Sequence, residues 1–187
     1  AGMPCLVLDL EANALGLGEA FFRWEFAVAT ACHVLGINAF DQPHVQSAKQ
    51  RANEALAVLA RDGALPALPV AWHSPGVTLS APPGFSEDLS GLDLPRVLRR
   101  IVQQARPGEA LVLLGFLDPE GEGGRALTAC RDAISLPPYP AVTLGFGPRY
   151  LHSTGQLHKG GANNLVVLMV TAEASPDLQT PGHAISF

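Results

Sequence analysis

Only two of the 12 Lys and Arg residues in this 187-residue chain are lysines, and each lies within a polar motif. Lys49 follows the segment Asn38-Ala39-Phe40-Asp41-Gln42, and Lys159 follows His152-Ser153-Thr154-Gly155-Gln156-Leu157-His158. A lysine can lower its pKa on burial, whereas an arginine stays charged. The two lysines therefore indicate positions that need a compact ammonium able to exchange a proton. Chance placement is the alternative.

The first motif lies at the start of a predicted helix that runs from Pro43 to about Asp62. Pro43 suits the first helical turn, with Asp41 or Gln42 as the capping residue. At about 100° per residue, Gln42 and Lys49 point almost the same way and would meet one ligand. A helix N-terminus with an amide and an ammonium suits an anionic, hydroxyl-rich ligand. An ordinary capped helix with a solvent-exposed lysine is the alternative.

The second motif sets seven hydrogen-bond donors among glycines between two predicted strands: Arg149, His152, Ser153, Thr154, Gln156, His158 and Lys159. Such a backbone can curve around an anion, which favours a phosphate or sugar phosphate. Ser153, Thr154, His158 and Lys159 are the residues predicted to bind it. A structural loop whose histidines satisfy backbone carbonyls is the alternative. No Cys or carboxylate lies near His152 and His158 at metal-ligand spacing, so no metal is predicted.

The elements that position these motifs alternate between apolar runs and helical patterns. Before residue 63 we expect a buried strand at 5–10 and helices at 19–35 and 43–62. After residue 91 we expect two helices, at 94–106 and 125–134. In the same region we expect three strands, at 110–116, 141–146 and 165–171. This order predicts an α/β fold whose parallel or mixed sheet is flanked by helices.

Three regions follow from this pattern. Residues 1–62 are interpreted as the C-terminal part of a larger core and 63–91 as a Pro-rich connector with at most a short strand at 77–79, while 92–187 are interpreted as a small α/β domain. The helix at 19–35 is apolar on every face, which predicts a central helix packed on several sides. If it were left uncovered, it would favour self-association.

Composition excludes several classes of protein. The chain is 48% hydrophobic with a net charge of −5, which is typical of a globular protein and gives no electrostatic footprint for nucleic acid. No segment reaches the roughly 18 consecutive apolar residues of a membrane span. The three cysteines are widely spaced without a C-x-x-C motif, and no secretory signal precedes the first predicted strand, so a cytoplasmic location is expected.

Two strings resemble a known family. Ile37-Asn38-Ala39-Phe40-Asp41-Gln42-x-x-Val45-x-x-x-Lys49 resembles the C-terminal signature of glucose-6-phosphate isomerases. Residues 21–27 are similar to the helix that leads into it in bacterial bifunctional transaldolase/glucose-6-phosphate isomerases, which also carry a segment like residues 147–161. Pro43 and His44 depart from the Trp-Gly of many isomerases, and Gln46 departs from a common Glu.

The resemblance implies an enzyme of carbohydrate metabolism that acts in glycolysis, gluconeogenesis and the pentose phosphate pathway. It interconverts glucose 6-phosphate and fructose 6-phosphate without a metal or cofactor, through ring opening and a cis-enediol. Lys49 would open the ring by acid/base catalysis, and Gln42 would contact the sugar phosphate.

The resemblance also implies that functional parts lie elsewhere. The family's catalytic Glu, its supporting Arg and its phosphate loop come from parts that precede this motif. We therefore expect a fragment that is inactive alone, whose partners are a hexose 6-phosphate, the remaining domains of the parent chain and, as in related dimers, a second copy. The alternative is that residues 92–187 form a noncatalytic module that binds a sugar phosphate or joins domains.

Overall fold

The computed structural model describes residues 7–9, 13–41, 43–134, 141–152, 154–172 and 179–182. Its helices are α1 (Ala14–Leu35), α2 (Pro43–Asp62), α3 (Leu94–Val102), α4 (Glu122–Ile134) and α5 (Gly155–Gly160), with a 3-10 turn at Arg149–His152. Its strands are β1 (Val70–Ser74), β2 (Val77–Ser80), β3 (Ala110–Phe116), β4 (Ala141–Phe146) and β5 (Leu165–Thr171). The predicted α/β class is confirmed. The chain divides into two compact units, Ala1–Gln46 and Ser47–Phe187.

A three-stranded parallel sheet, in the order β4-β3-β5, forms the centre of the second unit. Its middle strand β3 is apolar on both faces, as expected for a strand covered on both sides. Leu111 and Leu113 pack with Leu127 of α4 on one face. Val112 and Leu114 pack with Tyr150 and its neighbours on the other. The sheet therefore presents one face to α4 and the opposite face to the segment after β4.

The Pro-rich passage predicted to be a connector contains an antiparallel hairpin of β1 and β2. Trp72 of β1 is buried against Val97 and Ile101 of α3, together with Leu89. The Trp72 indole Nε1 donates to the Leu92 carbonyl at 3.0 Å. This passage thus supplies part of a hydrophobic core, and β1 is a strand that the sequence pattern did not predict.

Helix α1 begins five residues before the predicted start at Glu19. The Asn13 side chain caps it by accepting from the Gly16 N–H at 2.8 Å, so Gly16 and Gly18 lie inside the helix. Its aromatic residues are exposed: Phe21 by 61% and Trp24 by 56%. The predicted packing on several sides is not observed, because the described part of the first unit holds only α1, a short turn and the start of α2.

Helix α2 has the predicted bounds, Pro43–Asp62. Val45, Ala48, Ala55 and Val58 are half-buried along its length, while Leu56 stays 59% exposed. In the described ranges, no helix combines the length and apolarity needed to cross a membrane. Of the strand predicted at 5–10, residues 7–9 are described and are not in a strand, and the rest lies outside the described residues.

Candidate functional site

The first motif forms the turn and helix that its sequence predicts. The Asn38 side-chain oxygen accepts from the Phe40 N–H at 2.9 Å, which stabilises the turn before α2. Lys49 lies in the second turn of α2 and is exposed. Within the described parts of the chain, no hydrogen bond or ion pair occupies its ammonium. Gln42 lies outside the described residues, so its alignment with Lys49 stays a prediction.

The second motif forms a 3-10 turn and a short helix where the sequence predicts a loop. After β4 the chain turns at Gly147-Pro148, whose peptide bond is cis, and continues into the 3-10 turn and α5. The Gly147 N–H donates to the Gly115 carbonyl at 2.8 Å, which ties this turn to the end of β3. A Cβ at Gly147 would lie 2.5 Å from the Phe116 ring, so a side chain there requires the ring to move.

Tyr150 holds this segment on the sheet. Its ring packs edge-on against Phe116, with centroids 6.1 Å apart, and lies 5.6 Å from the His158 ring of α5. Only 9% of Tyr150 is exposed, and burial raises the pKa of its phenol. Because Tyr150 also contacts Val112 and Leu114, the 3-10 turn and α5 are fixed over one face of β3.

Two neighbouring cavities lie beneath and beside this segment. The first, named the inner cavity, measures about 170 Å³ and is lined by Ala110, Val112, Thr143, Leu144, Gly145, Thr154, Leu157, His158 and Leu165. The second, named the outer cavity, measures about 400 Å³ and is lined by Pro119, Leu144, Gly145, Phe146, Arg149, Tyr150 and Thr154. The two share Leu144, Gly145 and Thr154.

The polar groups of this region are incompletely paired. Among the described residues, no group forms a hydrogen bond with His158 Nδ1 or Gln156 Oε1, and both atoms are buried. A buried polar atom that lacks a partner costs free energy. His158 also lines the inner cavity, although its Nδ1 has almost no accessible surface there. Arg149 is exposed at the outer cavity and pairs with no carboxylate among the described residues.

The structure brings together only part of the predicted ligand-binding set. Thr154 lines both cavities and His158 lines the inner one. Lys159 is exposed and lines neither, and Ser153 lies outside the described residues. Arg149 was counted among the donors of the motif but was not assigned to the site. The signal that could have found Arg149 is its position just after a parallel strand, since ligands bind at that end of such sheets.

Comparison with known proteins concerns one third of the chain. Over 63 residues, 33% of the chain, the sequence is 40% identical to glucose-6-phosphate isomerase from two strains of Leptospira biflexa serovar Patoc. The match covers 13% of the length of these relatives. Part of this chain is therefore similar to glucose-6-phosphate isomerase. No protein-family model and no solved structure matches the chain.

No cluster of three or more His, Cys, Asp or Glu side chains that would hold a metal ion occurs in the part of the chain that the structure describes. After β3, the Asp118 carboxylate and the Glu120 backbone carbonyl are used locally instead. Asp118 Oδ1 accepts from the Glu120 N–H at 3.0 Å, and the Glu120 carbonyl accepts from the Arg125 guanidinium.

Proposed function

We propose that this chain supplies the C-terminal segment of a glucose-6-phosphate isomerase, an aldose-ketose isomerase that acts on hexose 6-phosphates. The observation that carries the proposal is the 40% identity to glucose-6-phosphate isomerase over 63 residues. The motif from Ile37 to Lys49, which resembles the signature of the same family, also supports it.

Lys49 is the residue to which we assign chemistry. Its ammonium is exposed on α2 and engages no described neighbour, so it is available to a ligand. In ring opening, Lys49 would donate a proton to the ring oxygen as the bond from that oxygen to C1 breaks, while the C1 hydroxyl gives its proton to water and becomes the carbonyl. A positioned lysine can perform this acid/base step. Gln42, before the first turn of α2, would contact the sugar phosphate.

The remaining catalytic groups are proposed to come from the rest of the protein. The matched relatives are much longer than the matched segment, which covers 13% of them. The Glu that moves the proton between C1 and C2, the supporting Arg and the phosphate loop would lie in that remainder. Fusion to a transaldolase, a homodimeric assembly and a cytoplasmic location belong to the same proposal.

A second candidate function concerns residues 92–187, as a noncatalytic module that binds a small ligand. The observation that favours it is the pair of adjoining cavities lined by Thr154, with His158 in the inner cavity and Arg149 in the outer. This module would accompany the isomerase segment rather than replace it.

Calorimetric titration of the chain with fructose 6-phosphate, combined with a coupled isomerase assay on the same sample, tests the first proposal. We expect binding without turnover, because the proton-transferring Glu is proposed to lie elsewhere. Lys49→Ala should abolish this binding, whereas Lys159→Ala, which removes the other lysine, should leave it unchanged. Binding that survives Lys49→Ala, or the absence of binding to the unmodified chain, would contradict the role assigned to Lys49.

A further inference from the structure

We propose that the inner and outer cavities together form a binding site for a small ligand that joins an anionic group to a compact apolar body. The anionic group, a phosphate or a carboxylate, would lie in the outer cavity against Arg149. The apolar body would lie in the inner cavity beside His158. The site is independent of the proposed isomerase role, since Lys49 lines neither cavity.

Arg149 provides the charge for the anion. Arg149 lines the outer cavity, and no carboxylate among the described residues forms an ion pair with it. A planar guanidinium binds carboxylates and phosphates with two parallel hydrogen bonds, and the Thr154 hydroxyl at the same cavity can donate a further one.

The inner cavity sets the chemistry of the ligand body. Six of its nine lining residues are aliphatic or glycine, and its volume is about 170 Å³. A cavity of about 150 Å³ accepts a benzene ring, so one six-membered ring or a similar branched chain fits. A sugar would place several hydroxyl groups against aliphatic walls without partners, which is costly. The apolar walls therefore disfavour a sugar body in this cavity.

Three polar residues line the inner cavity: Thr143 on β4, Thr154 and His158. The His158 ring lies against Tyr150, with centroids 5.6 Å apart, and its buried Nδ1 has no hydrogen-bond partner among the described residues. A ligand with a single hydrogen-bonding group on an otherwise apolar body matches this lining.

The position of the outer cavity agrees with how parallel sheets bind ligands, whereas the inner cavity extends to Ala110 and Leu165, the first residues of β3 and β5. The outer cavity includes Pro119, which follows β3, and Phe146, the last residue of β4. Both mark the carboxyl ends of neighbouring parallel strands, where open α/β sheets bind their ligands. The hydrogen bond from Gly147 to Gly115 and the contact between Phe116 and Tyr150 fix this edge, so the site is largely formed before a ligand arrives.

The test compares four probes by calorimetric titration of the full chain: phenyl phosphate, benzoate, inorganic phosphate and fructose 6-phosphate. Phenyl phosphate and benzoate carry both parts of the proposed ligand and distinguish phosphate from carboxylate as its anionic group. Inorganic phosphate carries the charge alone, and fructose 6-phosphate joins the charge to a polar body. We expect at least one aryl probe to bind about tenfold or more tightly than inorganic phosphate, with the gain coming from the inner cavity.

Two variants and a matched control assign the binding to these cavities. Arg149→Gln should weaken the aryl probe by about tenfold or more, through loss of the charge-assisted hydrogen bonds. Ala110→Leu should fill the inner cavity, so the aryl probe should then bind no more tightly than inorganic phosphate. Arg106→Gln removes another exposed arginine and should change nothing. Thermal unfolding checks each variant, and Leu157→Phe replaces Ala110→Leu if that variant does not fold.

Several results would overturn the proposal. One is that neither aryl probe binds more tightly than inorganic phosphate, which would mean that the inner cavity takes no apolar body. Another is that Arg149→Gln and Arg106→Gln lower the affinity for the aryl probe equally, which would mean that the probe binds elsewhere. Fructose 6-phosphate that binds as tightly as the aryl probes and loses affinity in Arg149→Gln would show a sugar-phosphate site instead. If fructose 6-phosphate responds only to Lys49→Ala, its binding belongs to the isomerase proposal and leaves this one intact.

Discussion

Tyr150 is the residue on which the architecture of the two cavities depends most. It is buried between the ring of Phe116, at the end of β3, and the ring of His158, in α5. Tyr150 also lines the outer cavity. Burial disfavours the charged phenolate, which raises the pKa of Tyr150 above its ordinary value of 10.0. The titration of this residue therefore reports whether the segment after β4 stays packed on the sheet.

Tyr150→Phe should alter the stability of the protein at alkaline pH. The folded state holds the phenol proton more tightly than the unfolded state. The stabilisation is therefore fully present below about pH 10, and it is lost as the pH rises through the folded pKa. The variant keeps the ring contacts but lacks this titration. The measurement is the free energy of urea unfolding from pH 7 to pH 11 for both proteins. We expect the natural protein to have the larger free energy of unfolding, and the difference from the variant to decrease above about pH 10. A difference that stays constant with pH would contradict the burial of Tyr150.

At the scale of elements, the hairpin of β1 and β2 has its own packing partner. Trp72 anchors it by burying its indole against Val97 and Ile101 of α3 and donating to the Leu92 carbonyl. The other tryptophan of the chain, Trp24, is 56% exposed on α1. The same substitution at each tryptophan therefore compares the effect on stability of a buried side chain with that of an exposed one.

Trp72→Phe should destabilise the protein by about 2 kcal/mol, because it removes buried ring atoms and leaves the Leu92 carbonyl without its donor. Trp24→Phe should change the stability by less than about 0.5 kcal/mol, as expected for an exposed side chain. Urea unfolding followed by far-ultraviolet circular dichroism measures both. Equal effects would mean that the hairpin does not pack on α3 as described.

The elements also show where sequence reasoning succeeds. The strands predicted at 110–116, 141–146 and 165–171 are confirmed with their bounds, because each is a short apolar run bounded by turn residues. Helix α2 is confirmed as well, since Pro43 and Gly63 mark its two ends clearly.

Other elements depend on contacts that no local pattern contains. Strand β1 lies in a Pro-rich passage, and what makes it a strand is its pairing with β2 and the burial of Trp72. Helix α5 is six residues long within a glycine- and histidine-rich string that favours a loop, and it is held by its packing against Tyr150. For the site, residue types indicated Thr154 and His158, but the two cavities arise only from the folded chain.

At the scale of the whole molecule, α1 exposes an apolar stripe. Leu17, Phe21, Trp24, Val28 and Leu35 recur at helical spacing, and each is more than half exposed. A large exposed apolar surface of this kind marks an interaction site or a tendency to associate. The stripe fits the expectation that the remaining domains of the proposed isomerase, or a second copy of the chain, cover this helix.

We expect the chain to associate with itself through α1 in a concentration-dependent way. Phe21→Lys should shift the chain toward monomer by placing a charge in the stripe. Asn53→Lys adds the same charge at an exposed polar position of α2 and should have little effect. Sedimentation velocity over a range of concentrations distinguishes the two variants. Equal behaviour of both, or a monomeric natural chain at all concentrations, would exclude association through this stripe.

The measurement that tests the central claim most directly is the isomerase turnover of the full-length protein that carries this chain, with Lys49→Ala compared with Lys159→Ala. We expect Lys49→Ala to lower kcat by about 100-fold or more, because it would remove the proposed ring-opening acid/base group. Lys159→Ala, which lies outside both cavities, should leave kcat unchanged. A Lys49→Ala protein with nearly full turnover, or a larger loss in Lys159→Ala, would contradict the assignment of this chain to the isomerase reaction through Lys49.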